Sequence, residues 1–228
     1  MSETVPMRII ARIRSDFPTK FGIPRQSGLA DAPARVVFEP EYRSADALRG
    51  IEGFSHLWLI WQFSEAVREG WSPTVRPPKL GGNTRVGVFA TRSPFRPNAI
   101  GLSSVRLDRV ESRTPDGPVL HISGADLMDG TPIFDIKPYL AYTDAHPEAA
   151  GGFALQETAG ALSVDCPAPL LARLPEGRRD ALLSILAQDP RPGYQNEPGR
   201  VYGFPFAGCE IRFTVAGTTL TVVSIAPL

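Results

Sequence analysis

Between Gly87 and Ser103 the chain reads GVFATRSPFRPNAIGLS, a loop with two arginines, two prolines and an asparagine between two apolar runs. Pro94 and Pro97 fix φ and deny the loop a helical conformation. Arg92 and Arg96 therefore sit on a stiff backbone, which suits the grip of an anionic or planar ligand. A surface loop with solvated arginines has the same composition. A second dense stretch runs from Asp126 to Tyr139 and holds Asp126, Asp129, Asp135, Lys137 and Tyr139. Asp129-Gly130 is a turn signal. The stretch reads as a turn with Asp135 and Lys137 paired, or as a ligand loop whose backbone meets a nucleoside.

Charge placement adds to this. From Gly70 to Leu107 there are Arg76, Lys79, Arg85, Arg92, Arg96 and Arg106 and no acidic residue, although the whole chain has a net charge of zero. Arg8, Arg12, Arg14, Lys20 and Arg25 extend the excess into the N-terminal segment, against Glu3 and Asp16. Such an island is either a phosphate-tracking surface for RNA or DNA or an ordinary solvated face. His56 lies within an apolar run, where a lone histidine reads first as a core residue. Asp189-Pro190-Arg191-Pro192-Gly193-Tyr194-Gln195 is another rigid loop with charged and aromatic side chains.

Several chemistries lack their signatures. No glycine fingerprint of a dinucleotide fold, phosphate-binding loop or nucleophile elbow occurs. Two cysteines and three histidines, with no Cys-x-x-Cys, argue against a structural metal. The start MSETVPMRII has no signal-peptide pattern. The apolar run Leu57–Trp61 is too short to cross a bilayer. These features fit a cytoplasmic enzyme or binding protein with no metal and no membrane segment.

The positioning elements are mostly strands. Met7–Arg14, Ala34–Glu39 and Phe54–Phe63 read as strands, the last one nearly continuous in apolar residues and so expected to be buried on both faces. VGVFAT reads as a strand before the arginine loop. Ile100–Ser112 and Pro118–Gly124 flank the turn Thr114-Pro115-Asp116-Gly117 and predict a hairpin. Ser44–Arg49 reads as a capped helical turn. After Tyr142 the character changes: Arg178–Gln188 has a helical period, and Glu210–Val215 with Thr218–Ile225 forms a closing hairpin. The expected fold is mainly β: a single-sheeted β-barrel over residues 1–142, and a linker with a small α+β C-terminal domain over 143–228.

Six stretches in order carry a resemblance: PRQSGL, GFSHLWLIW, VRPPKLGGN, GVFATRSPFRPNAIGLS, DGTPIFDIKPY and QDPRPGYQ. Together they resemble the TrmO, or TsaA-like, family over most of the chain, from about Met7 to Tyr202. The resemblance implies a single β-barrel and a homodimer with cofactor sites near its interface. It implies a tRNA methyltransferase that uses S-adenosylmethionine to methylate N6 of N6-threonylcarbamoyladenosine, just 3′ of the anticodon. It also implies cofactor binding by Pro24, Arg25, Gln26, His56, Leu57, Arg92, Leu102 and the turn Leu127, Met128, Asp129, Gly130. Arg92 would pair with the methionine carboxylate, and Leu102 with the turn would wall the adenine. Arg96, Asn98, Lys137 and Tyr139 would line the mouth, and Asp189, Arg191 and Tyr194 would close over it. A base for the N6 proton is open among Asp129, Asp135, His56 and Tyr139. Two other classes stand beside this one: a non-catalytic sensor of S-adenosylmethionine or a nucleotide, and a plain RNA-binding protein.

Overall fold

The computed structural model describes residues 3–77, 80, 83–157, 161–191, 197 and 199–228. In chain order the N-terminal strands are β1 (Ala11–Arg14), β2 (Pro33–Phe38), β3 (His56–Gln62), β4 (Thr74–Val75), β5 (Val86–Gly87), β6 (Ile100–Glu111), β7 (Val119–Ser123) and β8 (Pro132–Pro138). Six of them close an antiparallel barrel in the order β1-β2-β7-β6-β3-β8, while β4 and β5 form a separate two-residue ribbon. Closure removes exposed edges. Helix α1 (Ala141–Asp144) follows β8, and the second unit contains helices α2 (Ala168–Leu171) and α3 (Glu176–Ala187). Its sheet contains β9 (Ser163–Asp165), β10 (Tyr202–Phe206), β11 (Cys209–Ala216) and β12 (Thr219–Pro227), in the order β10-β11-β12-β9. The mainly β barrel with a small α+β unit is as expected from the sequence.

Period-two alternation explains the barrel. Leu57, Leu59 and Trp61 of β3 point inward with Ile13, Val36, Val105, Leu120, Ile122 and Ile133. Each such side chain, fully buried, contributes about 1.5–3 kcal/mol. The expectation that β3 is buried on both faces is not met, because a closed barrel has one interior. His56, Trp58, Ile60 and Gln62 alternate to the outer face. His56 is accordingly an exposed strand-end residue rather than a core one. VGVFAT departs from expectation too: only Val86–Gly87 is strand, and Val88–Ala90 forms a 3-10 turn with Phe89 exposed. Its short partner Thr74–Val75 offers no longer ladder. The predicted hairpin is present, its turn closed by Gly117 N–H donating to Thr114 O at 3.0 Å. Gly117 adopts φ +77, which a side chain disfavours.

Helix α3 starts after Pro175 and carries Glu176 in its first turn, where an acid complements the helix dipole. It buries Ala181, Leu182, Ile185 and Leu186 on the sheet beside Phe204, Phe213, Leu220 and Ile225. Pro190 cannot continue the helix, and Asp189 turns the chain out at φ +50.

The β1–β2 connection leaves the barrel and enters this second core. Phe17, Ala30 and Ala32 are buried there, with Phe21 and Ile23 packed alongside. The Asp16–Arg178 ion pair and the Ser184 Oγ–H bond to Leu29 O (3.3 Å) tie the same segment to α3. The Pro24-Arg25-Gln26 loop is thus held between both units.

Candidate functional site

Four segments meet around a cleft of about 790 Å³. The connection 20–27 supplies Lys20, Pro24, Arg25 and Gln26. The outer face of β3 supplies Trp58, with Trp61 reaching it from the barrel. The arginine loop supplies Arg92, Phe95 and Arg96, and the start of β6 supplies Ile100 and Leu102. The β7–β8 loop supplies Asp126 and Met128. Backbone bonds draw the first and last together: Gly28 N–H donates to Gly124 O at 2.9 Å, and Gly124 N–H to Ala32 O at 3.1 Å. Gly124 has φ +84, so the turn that delivers Asp126 favours glycine. The lining holds the cations Lys20, Arg25, Arg92 and Arg96 against the acids Glu65 and Asp126, an excess of positive charge.

Local hydrogen bonds set each side chain. Arg92 Nη1 donates to Gln26 Oε1, joining the two sequence motifs across the cleft. Gln26 Nε2 donates to Arg25 O at 2.5 Å. Arg96 Nη1 donates to Thr91 O (3.0 Å) and Ser93 O (3.4 Å), so it staples its own loop while lining the cleft. Arg68 stacks over Phe95, 3.8 Å from the ring centre, and fixes the loop's other end. Arg25 Nη2 reaches Asp189 O (3.1 Å) and Arg191 O (3.5 Å). Arg191 in turn grips Asp189 through two 2.8 Å bonds, Nε to Oδ1 and Nη2 to Oδ2. Burial alone would raise the Asp189 carboxyl, but the Arg191 bonds and charge, with the Arg25 charge, hold it below the usual value. The C-terminal loop therefore braces Arg25 through its backbone.

Leu102 stands 57% exposed on the cleft wall, an apolar surface facing the guanidinium groups. On the barrel interior Gly101 lies opposite Trp61, and a Cβ there would sit 2.3 Å from the indole. The absence of that Cβ lets Trp61 lie flat and donate Nε1–H to Ser103 Oγ at 2.9 Å. Ser103 Oγ–H then donates to Asp126 Oδ1 at 2.5 Å. Burial pushes the Asp126 carboxyl up; the Ser103 bond and the Arg92 charge offset part of that.

The sequence-derived site residues divide by place. Pro24, Arg25, Gln26, Arg92, Arg96, Leu102 and Met128 line the cleft. Leu57 and Leu127 are fully buried in the barrel core and present no side chain to it. Asp129 lies across the turn from Met128, at a separate cavity of about 620 Å³. There its Oδ1 accepts Ser15 N–H at 3.0 Å and Oδ2 is 3.7 Å from Arg14. Gly130, at φ +78, donates N–H to Ile13 O and anchors the turn to β1. Asp135 and Lys137 form a 2.9 Å pair on the outer barrel face, in register with Ile60 and Trp58. Tyr139 packs against Trp58 and His56, with ring centres 5.4 and 6.1 Å apart. Asn98 is exposed in the arginine loop. Tyr194 and Lys79 lie outside the described residues.

The sequence assigns no site role to Trp58, Trp61 or Ser103, and Asp126 stands in it only as one acid of the stretch Asp126–Tyr139. A signal for Asp126 exists: in Ala125-Asp126-Leu127-Met128 the apolar Ala125 and Leu127 are buried and the intervening residues face the cleft. Among the described residues no group of three His, Cys, Asp or Glu could hold a metal ion, and no helix is long and apolar enough to cross a membrane.

Asp144 shapes the cleft from outside. Its Oδ2 accepts Leu140 N–H (3.0 Å) and Trp58 Nε1–H (2.8 Å). These bonds, the Leu140 amide first, hold the carboxyl below its ordinary 3.8. The anchor is complete above that ordinary value and is lost as pH falls through the lower, folded-state one. Asp144→Ala is expected to abolish the bonded Trp58 indole resonance in an NMR spectrum at neutral pH. In the unaltered protein that resonance should shift only below pH 3.8.

Residues 12–145 match the tRNA-methyltransferase O N-terminal domain, and residues 165–228 match the TrmO C-terminal domain. An Escherichia coli protein named tRNA (adenine(37)-N6)-methyltransferase is 41% identical over 227 residues, covering 96% of each chain. A Pseudomonas aeruginosa protein whose name proposes S-adenosylmethionine-dependent methyltransferase activity is 44% identical over 213 residues, 85% of each chain. The crystal structure of TrmO from P. aeruginosa superposes with a TM-score of 0.81 at 34% identity, covering 100% of this chain and 99% of that one.

Proposed function

We propose that this chain, which belongs to the tRNA-methyltransferase O family, transfers a methyl group from S-adenosylmethionine to N6 of N6-threonylcarbamoyladenosine beside the anticodon of tRNA. The carrying observation is the cleft itself, where the Gln26–Arg92 bond joins two guanidinium-bearing loops to an apolar wall at Leu102. Relatives named as tRNA (adenine(37)-N6)-methyltransferases support the tRNA N6 reaction.

The residues present fit the cofactor. Arg92 offers planar, two-point donation to a carboxylate. Leu102 and Met128 offer apolar surface for a purine, and the cleft has the size of a small-molecule site. When bound, S-adenosylmethionine supplies a methyl group on a cationic sulfur that departs as a neutral thioether. What the protein must do is align N6 with that methyl and exclude water. Gln26 holds Arg92 in place, Arg25 is braced by the Asp189–Arg191 loop, and Trp61 fills the cleft floor. Arg96, lining the cleft, is the cation assigned to the threonyl carboxylate. The ring group Trp58–Tyr139–His56 at the rim suits stacking on unpaired anticodon-loop bases. The reading includes a homodimer. The exposed Trp71 and Phe89, whose ring centres lie 6.2 Å apart, support it as an apolar surface that a second copy could cover.

Purified protein incubated with threonylcarbamoylated tRNA and S-adenosylmethionine should yield the N6-methylated nucleoside by mass spectrometry. Binding of S-adenosylmethionine by calorimetry without product would indicate a sensor. Binding of tRNA alone would indicate a plain RNA-binding protein. Either result overturns the proposal.

A further inference from the structure

We propose that Asp126 is the proton acceptor of the reaction, with Ser103 and Trp61 as the residues that position it. This rests on the N6-methyl-transfer reading above. N6 of a carbamoylated adenosine is a weak nucleophile, because its lone pair is delocalised into the ring and the carbamoyl group. Removing its proton restores that pair. The acceptor must be a titratable side chain at the cleft whose basicity suits neutral pH. The acids and bases suggested by sequence are elsewhere: Asp129 at the second cavity, Asp135 in its pair with Lys137, and Tyr139 and His56 packed together at the rim. Among the described residues the carboxylates that line the cleft are Asp126 and Glu65, and Glu65 is exposed on a 3-10 turn.

Asp126 is placed as a base should be. Its Oδ1 accepts Ser103 Oγ–H at 2.5 Å, and Ser103 is itself 1% exposed and fixed by Trp61 Nε1–H at 2.9 Å. The relay runs from the barrel interior to the cleft floor, so the carboxyl has a rigid support on β3 and β6. The charged and polar groups facing the site come from every neighbouring segment. Arg92 and the Ser27 amide act on the carboxyl directly, and Lys20, Arg25, Arg96 and Glu65 share the cleft. The cations and hydrogen bonds favour the carboxylate, but burial outweighs them and raises its basicity.

The step balances. The N6–H bond breaks and its proton passes to the Asp126 carboxylate. The pair left on nitrogen forms the N–CH3 bond, while the S–CH3 bond breaks with its electrons kept by sulfur. The proton then leaves Asp126 for solvent.

Three readouts test this. In ligand-free protein the Asp126 carboxyl carbon, followed by NMR, should titrate above the ordinary 3.8. Ser103→Ala removes a bond to the charged form, so the midpoint should move higher still. Single-turnover methyl transfer by the full-length protein on threonylcarbamoylated tRNA should rise with pH through the wild-type midpoint. In Asp126→Asn that limb should vanish and the rate should fall ~10²–10³-fold, with calorimetric S-adenosylmethionine affinity nearly unchanged. If Asp126→Asn does not fold, the Ser103→Ala displacement of both midpoint and rate profile carries the test. A variant as active as wild type, or one that loses cofactor affinity by the same factor as rate, overturns the proposal. The second result would make Asp126 a cofactor ligand instead. An inactive wild type on that tRNA overturns the functional reading and the acceptor with it.

Discussion

Gly22→Ala is expected to destabilise the protein by about 2–5 kcal/mol, the sum of a left-handed backbone penalty and an overpacked core. Gly22 adopts φ +91, and a Cβ built on it falls 2.2 Å from Phe204 Cδ2. Phe204 is fully buried at the centre of the C-terminal core, with Phe21 and Phe213 packed on its ring. It has no room to retreat. For a chain of this size the melting temperature should drop by ~5–20 °C. Because Gly22 lies just before Pro24-Arg25-Gln26, cofactor affinity should fall together with stability. A double-mutant cycle separates the two causes. Phe204→Leu combined with Gly22→Ala should recover the packing part and leave the backbone part.

Arg92→Ala should lower S-adenosylmethionine affinity by about 10–100-fold, the worth of a charge-assisted hydrogen bond to a carboxylate. Its side chain is exposed and bonds only to Gln26 among the groups described for it, so the fold should persist. Arg92→Lys should not rescue, since a lysine is a point charge without the planar two-point fork. Gln26→Ala should give a smaller loss in the same direction, because it positions Arg92 without supplying charge. Calorimetry on each variant, beside a melting curve, checks these outcomes. Unchanged affinity in Arg92→Ala would refute the residue's assigned role.

Much of the fold was legible because it rests on local signals. The β6–β7 hairpin follows from Thr114–Gly117 between alternating strands, and α3 from its apolar spacing after Pro175. The barrel follows from short strands at close spacing. Other parts depend on partners that a sequence does not display. VGVFAT has strand composition, yet its ladder ends at Gly87 because the facing strand is two residues long. Gly203 and Pro205 obscure β10 in the sequence, although Phe204 and Phe206 are fully buried. β9 is a parallel edge strand whose pairing with β12 arises only in three dimensions.

The site was legible at its motifs and obscure in its depth. The loops with Arg25, Gln26 and Arg92 stand out by charge and proline content, and they do meet at one cleft. Asp126, Asp129 and Asp135 look alike in sequence. The fold sends them to three different places: Asp126 to the cleft and Asp129 to the second cavity from the β7–β8 loop, and Asp135 to the outer face of β8. Leu57 and Leu127 likewise lie next to cleft residues in sequence while facing the barrel core. The brace between Arg25 and the Asp189–Arg191 backbone joins residues over 160 positions apart, and no local pattern announces it.

The reaction proposed for this cleft is methylation of N6 of a threonylcarbamoylated adenosine in tRNA. The most direct measurement is the rate of methyl transfer to one tRNA prepared with and without the threonylcarbamoyl group, at equal concentrations and fixed salt. Methylation of the modified tRNA should be rapid and that of the unmodified one slight, the outcome expected if the added carboxylate is held by Arg96 at the cleft. Equal rates on the two substrates would contradict it.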